Sequence, residues 1–172
     1  LIGECKYRTT GGIRAMGSLL LETCPSSRAQ RRYPSMNRIH HVGVAVKDLD
    51  EALGFWRDQL GLELTEEVGW PGLKGMLLNL GDIIIELIEP QDAILPVGES
   101  LLRMVREQGG GIHHLCIEVD DIEAALEDLK KAGVKLQDEV PQEVTGGKIA
   151  WLDEQAVDGV MIELCEKGYK IG

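Results

Sequence analysis

Two histidines and two glutamates carry the chemistry of this chain, and they recur in register. Residues 39–53 read IHHVGVAVKDLDEAL and residues 112–126 read IHHLCIEVDDIEAAL, which sets His41 against His114 (114 − 41 = 73). Each copy ends in a second matching run, IIIELIE at 83–89 and VMIELCE at 160–166, and these pair Glu86 with Glu163. A single histidine in a strand is ordinarily a hydrogen-bonded core residue, and a single glutamate there ordinarily lies on a wet edge. Four such residues at matching positions of a repeat are a different matter. Burying four ionisable groups without a cation is very costly. Two imidazoles and two carboxylates suit a borderline divalent cation such as Co²⁺, Zn²⁺, Ni²⁺, Mn²⁺ or Fe²⁺. We therefore expect His41, Glu86, His114 and Glu163 to be metal ligands, with open positions for water or substrate. A metal so held acts as a Lewis acid on a carbonyl oxygen and stabilises an enolate.

The elements that must position these groups follow from periodicity. In 39–46, Val42, Val44 and Val46 alternate with His41, Gly43 and Ala45, which predicts a strand with His41 on the face opposite the valines. Asp48 starts a helix, and Glu51 completes a capping box. Ala52, Leu53, Trp56 and Leu60 form the apolar stripe, and Gly61 ends it. Strands are expected near 62–68, 74–80 and 83–89, with turns at Pro71-Gly72 and Gly81-Asp82. The second copy repeats the order. Leu115, Ile117 and Val119 alternate with His114, Cys116 and Glu118. Asp121 caps a helix striped by Ile122, Ala125, Leu126 and Leu129, and strands are expected near 134–139, 147–152 and 159–166.

The fold class is thus α+β, two tandem βαβββ modules forming one curved mixed sheet around a metal site. Module one spans 38–89, a linker 90–111 and module two 112–167. Pro90 and Pro96 break structure in the linker. Leu101, Leu102 and Val105 fit a short helix there, closed by Gly109-Gly110-Gly111. Glu86 faces away from Ile85 and Leu87, and Glu163 away from Ile162 and Leu164. Helices that cover the apolar rows would leave the ligands on the concave face. By parity, His40 and His113 fall on the opposite face and read as structural, and Trp56 and Trp151 read as core. Gly146-Gly147-Lys148 is either a plain hairpin turn or a contact for an anionic substrate through Gly147 and Lys148.

Composition sets the outer bounds. A chain of 172 residues with 44% apolar content suits one compact domain or two small fused modules. No apolar run approaches the roughly 20 residues of a membrane helix. Four cysteines without a C-x-x-C make no disulfide framework, and Cys116 and Cys165 read as buried free thiols. Residues 1–35 hold six Lys/Arg and two Asp/Glu, or +4, so the remainder carries −11 − 4 = −15. Such an acidic body argues against nucleic acid and gives an anionic substrate no long-range attraction. Residues 1–35, with GG, PSS and RAQRR and no sustained periodicity, read as a disordered or non-native leader outside the fold. A mitochondrial-type leader is the competing reading, which Glu4 and Glu22 weaken. The expected location is cytoplasmic, or the mitochondrial matrix if the leader is a transit peptide.

Paired βαβββ modules with His…Glu…His…Glu resemble the vicinal oxygen chelate superfamily, which holds glyoxalases I, extradiol dioxygenases and methylmalonyl-CoA epimerases. The resemblance covers residues 37–167. HHVGVAVKDLDEAL, LGDIIIELIEP, GGGIHHLCIEVDDIEAALEDLKKAGVKL, GGKIAWL and GVMIELCE are most similar to the epimerase family. That resemblance implies a divalent metal, Co²⁺ first, an acyl-CoA thioester substrate and a homodimer. It also implies interconversion of (R)- and (S)-methylmalonyl-CoA through a metal-stabilised enolate. A 1,1-proton transfer needs an acid/base group on each face. Glu163 matches the family carboxylate that both binds metal and moves a proton. Some family members carry a second glutamate on the third strand, where this chain has Gly75, so Glu86 is the expected substitute ahead of Lys74 and Glu67. LDEQAVDG at 152–159 departs from the family's HPK-containing loop. The alternative implied by the same quartet is a glyoxalase-I-like lactoylglutathione lyase acting on a hemithioacetal. A metal-free binding module of the same fold is a third reading.

Overall fold

A computed structural model describes residues 36–172; the expected leader, 1–35, lies outside them. The described chain runs β1 (Met36–Ala45), α1 (Leu49–Trp56), β2 (Glu63–Trp70), β3 (Leu73–Leu80), β4 (Ile83–Pro90), α2 (Pro96–Gln108), β5 (Gly111–Val119), α3 (Ile122–Lys131), β6 (Gln142–Val144), β7 (Gly147–Trp151) and β8 (Met161–Glu166). A short 3-10 turn, Glu154–Val157, separates β7 from β8. All eight strands form one curled sheet in the order β2-β3-β4-β1-β5-β8-β7-β6. β1 and β5 pair antiparallel at its centre, and each is flanked by a parallel partner from its own module, β4 or β8. The expected doubled βαβββ order and mixed sheet are therefore present.

Matched local chemistry builds the two halves. Asp48 accepts the Glu51 amide at 2.8 Å, and Asp121 accepts the Ala124 amide at 2.8 Å, so each module starts its helix with the same N-cap. α1 buries Leu49 and Leu53 against Val44, Leu78, Ile85 and Leu87. α3 buries Ile122, Ala125, Leu126 and Leu129 against Ala150, Leu152 and Leu164. These two helices take the outer apolar rows of β4 and β8, which leaves Glu86 and Glu163 on the inner face. α2 does not pack there. Its Leu101 meets Ala45, Leu73 and Ile88, residues of the inner row.

Three elements differ from the sequence expectation. α1 ends at Trp56 rather than near Gly61. The Leu53 and Phe55 carbonyls each accept from two later amides, the helix unwinds, and Leu60 turns to solvent. Pro96 starts α2 instead of breaking structure, because a first-turn residue needs no amide. No strand forms over 134–139. The Asp138 carboxylate accepts the Trp151 amide at 2.8 Å, the Gln137 and Asp138 amides both go to the Trp151 carbonyl, and Pro141 has no amide to give. The second-strand role in this module passes to the three-residue β6.

Candidate active site

The parallel pairs carry the four expected ligands to one point. β1 and β5 bring His41 and His114 together at the centre of the sheet. Glu86 arrives from β4 on one flank and Glu163 from β8 on the other. The Nε2 atoms of His41 and His114 are 3.1 Å apart. Glu163 Oε2 lies 3.1 Å from His41 Nε2 and 3.6 Å from His114 Nε2, and Glu86 Oε2 lies 3.4 Å from each. All four side chains are buried. Metal–ligand bonds of about 2.0–2.2 Å place neighbouring donors of a tetrahedral shell roughly 3.3–3.6 Å apart. The spacing of the two imidazoles and of each carboxylate from them therefore suits ligands of a small divalent cation, and His41, Glu86 and His114 form one such cluster.

Electrostatics point the same way. Burial opposes a charge on His41, but the Glu163 hydrogen bond and the Glu86 and Glu163 charges outweigh it and hold its pKa above the ordinary value. Burial likewise opposes ionised Glu86, yet the His114 hydrogen bond and the His41 and His114 charges hold its carboxyl below the usual range. The pocket favours an ionised Glu86 with positive charge beside it.

His40 and His113 are not on the far face, which corrects the parity argument. Ile39 and His41 pair with the consecutive residues Ile117 and Cys116, so His40 is an extra residue in β1. Gly43 and Val44 pair with His114 and Ile112, so His113 is an extra residue in β5. Each is a β-bulge, and a bulge re-aims its side chain. His40 Nδ1 lies 3.0 Å from His41 Nδ1, and His113 Nδ1 lies 2.9 Å from His114 Nδ1. The second contact fixes a tautomer. Ser100 spends its hydroxyl hydrogen on the Val97 carbonyl at 2.9 Å, so its 2.7 Å contact must be a donation from His113 Nε2. Burial pushes His113 down to about 3, so it is neutral and its Nδ1 accepts from His114. With Nδ1 committed to His113, His114 turns Nε2 toward the site, the ring nitrogen that a metal would take. Gly43 completes the arrangement, because a Cβ there would collide with the His114 ring.

Above the quartet is a cavity of about 540 Å³, a size that suits a small-molecule site. Trp151 lines it and meets the His114 ring edge-on at 5.1 Å, so this residue walls the site as well as being buried. Trp70 lines the opposite side. A Cβ at Gly75 would lie 2.9 Å from the Trp70 ring and 2.8 Å from Val68 Cγ2, so the indole fills the space a longer third-strand side chain would need. Lys74 and Glu67 are not among the described cavity walls, which leaves Glu86 opposite Glu163. α2 contributes Ser100 and Arg103, one turn apart. The linker reading passed over both, although their three-residue spacing on one helix face was a usable signal. Gly147 and Lys148 do not line the cavity. Strand alternation turns Ile149 and Trp151 inward, and Lys148 goes to Glu123 at 2.6 Å on the helix side. Cys116 and Cys165 are buried free thiols beneath the quartet.

Residues 40–151 match the model of the glyoxalase/bleomycin resistance protein/dioxygenase superfamily. The chain belongs to this superfamily. Among superfamily members, mitochondrial methylmalonyl-CoA epimerase of Mus musculus is 38% identical over 145 residues, covering 81% of this chain and 80% of the mouse protein. The methylmalonyl-CoA epimerase of Mycobacterium tuberculosis has a solved structure that superposes with a TM-score of 0.68 at 30% identity, over 76% of this chain and 88% of that one. A methylmalonyl-CoA epimerase crystallised with methylmalonyl-CoA and NH4+ gives 0.68 at 26% identity, over 80% and 100%. The expectation of an epimerase-type enzyme within the superfamily stands with these relatives.

Proposed function

We propose that the protein is a metal-dependent methylmalonyl-CoA epimerase. The observation that carries this reading is the buried His41–Glu86–His114–Glu163 quartet at the floor of a cavity, its two imidazoles 3.1 Å apart and each carboxylate 3.1–3.6 Å from both of them. Epimerase relatives along most of the chain support it. His41, Glu86, His114 and Glu163 would hold a divalent ion, Co²⁺ first. When bound, that ion would supply Lewis acidity toward a thioester carbonyl and lower the cost of negative charge at its oxygen.

The remaining work falls to the chain's own groups. An α-carbon between a thioester and a carboxylate is inverted by taking a proton from one face and returning one to the other. Glu163 and Glu86 reach the site from opposite flanks of the β1–β5 pair, so they are the two acid/base residues, Glu163 on the β8 side and Glu86 on the β4 side. The lowered pKa of Glu86 keeps it ionised and able to accept a proton at neutral pH. Arg103 is the cation on the cavity wall and pairs with the substrate's free carboxylate, an attraction that the acidic body does not provide at long range. Trp70 and Trp151 narrow the cavity and exclude water from the carboxylates. The reading includes a homodimer in solution, which the family resemblance implies.

The test follows the α-hydrogen of (S)-methylmalonyl-CoA by NMR in D₂O with Co²⁺-loaded protein. Exchange together with appearance of the (R) form is expected, and loss of both on chelation. No exchange by the loaded protein rejects the reading. Thioester formation from methylglyoxal and a thiol would instead favour the lyase alternative.

A further inference from the structure

The Gly146-Gly147 pair has a use that neither a plain hairpin nor an anion contact explains. The segment that follows β8 folds back and lies on this turn. The Lys170 amide donates to the Gly146 carbonyl at 3.2 Å. Gly146 has φ +93°, and a Cβ there would collide with the Lys170 carbonyl oxygen. A Cβ at Gly147 would press on the Tyr169 ring at 3.3 Å. Both glycines therefore allow backbone to approach backbone. Farther along, Ile171 is buried, and Gly172 lies against Val68 and Glu66 of β2. β2 and the β6–β7 hairpin are opposite edges of the sheet. Residues 167–172 thus cross the open side of the curled sheet from one module's rim to the other's.

Tyr169 sits midway along this crossing. Its ring lines the cavity with Glu86, Glu163 and Trp151, and lies 5.6 Å from the His40 ring. The His40 ring lies between Tyr169 and His41, with its Nδ1 3.0 Å from His41 Nδ1. A large apolar ring has been placed beside the two proposed acid/base carboxylates by a segment outside the repeat.

We propose that Lys167–Gly172 is a strap that completes the cavity, and that the Tyr169 ring is a specificity-determining wall against the α-substituent of the acyl group. The second half of this rests on the epimerase reading; the strap itself does not. The proposal assigns this role to the bulk of the ring and none to the hydroxyl.

Two measurements test it on the whole 172-residue chain. Hydrogen exchange of the wild type reads the strap without any assay of activity. The Lys170 amide is protected, and Gly146→Ala speeds its exchange at least about tenfold, since the added Cβ must displace the strap. Should Gly146→Ala not fold, Ile171→Asp releases the same segment. An unprotected Lys170 amide in the wild type overturns the strap. Specificity is read as the ratio of kcat/KM for propylmalonyl-CoA over methylmalonyl-CoA. A single methylene in an apolar pocket is worth roughly 10–200-fold. Tyr169→Ala raises the ratio at least about tenfold, and Tyr169→Phe leaves it within about twofold. A ratio unmoved by Tyr169→Ala, or moved equally by Tyr169→Phe, overturns the wall. A wild type inactive on methylmalonyl-CoA refutes the epimerase reading while the exchange result still decides the strap.

Discussion

The two modules share their centre and differ at their rims. Module one runs three regular eight-residue strands, β2, β3 and β4, away from the middle of the sheet. Module two makes do with a three-residue β6 and a five-residue β7, held by the Asp138 carboxylate where a ladder would run. Their inner strands and helix caps match closely, and so do the bulges at His40 and His113. The residue facing each histidine differs, with Gly43 under His114 and Cys116 paired with His41. The walls differ most: Trp70 covers Gly75 in one module, while Trp151 meets His114 and the strap docks on Gly146-Gly147 in the other. Symmetry holds at the four candidate ligands and fails at the cavity walls, as the proposed single ion and unsymmetrical substrate would require.

Substitutions at paired positions break or sharpen this comparison. The largest effect is expected from the carboxylates. Glu163→Gln and Glu86→Gln each keep volume and a ligand oxygen while losing the proton acceptor, so kcat for epimerisation falls roughly 10²–10⁴-fold. A loss confined to Glu163 would mean that one base serves both faces. Next are the core twins Leu87 and Leu164, both fully buried. Leu87→Ala and Leu164→Ala should each destabilise by about 2–5 kcal/mol in urea unfolding; a large inequality would show the irregular module relaxing around its cavity. Gly43→Ala follows, because the new methyl must push the His114 ring aside. It should weaken metal binding about tenfold or more, whereas Cys116→Ala at the matching position leaves the affinity within about twofold. Smallest is Lys148→Ala. Its ion pair with Glu123 is screened by solvent and adds little, and KM for the thioester should not change beyond about twofold. A large rise in KM would restore Lys148 to the substrate site.

The sequence made the centre legible and the rims opaque, for a physical reason. His41, Glu86, His114 and Glu163 were readable because strand alternation has a fixed period and the repeat applies it twice. The same alternation misplaced His40 and His113, since one bulged residue reverses parity and leaves no local signature. Asp138 was lost because a side chain standing in for a strand's backbone looks like any loop aspartate. Ser100 and Arg103 stood at helical spacing but in a segment read as linker. Tyr169 had no signal at all: its place depends on a turn more than twenty residues earlier, at Gly146, and on the far edge at Val68.

The central claim is that one ion is held jointly by both modules. Chelator-competition titration of Co²⁺ into the metal-free protein tests it most directly, using wild type and His41→Ala, Glu86→Ala, His114→Ala and Glu163→Ala. One ion per chain is expected, with each of the four substitutions weakening binding at least about tenfold. Two ions per chain, or wild-type affinity after losing both an imidazole and a carboxylate from one module, would contradict it.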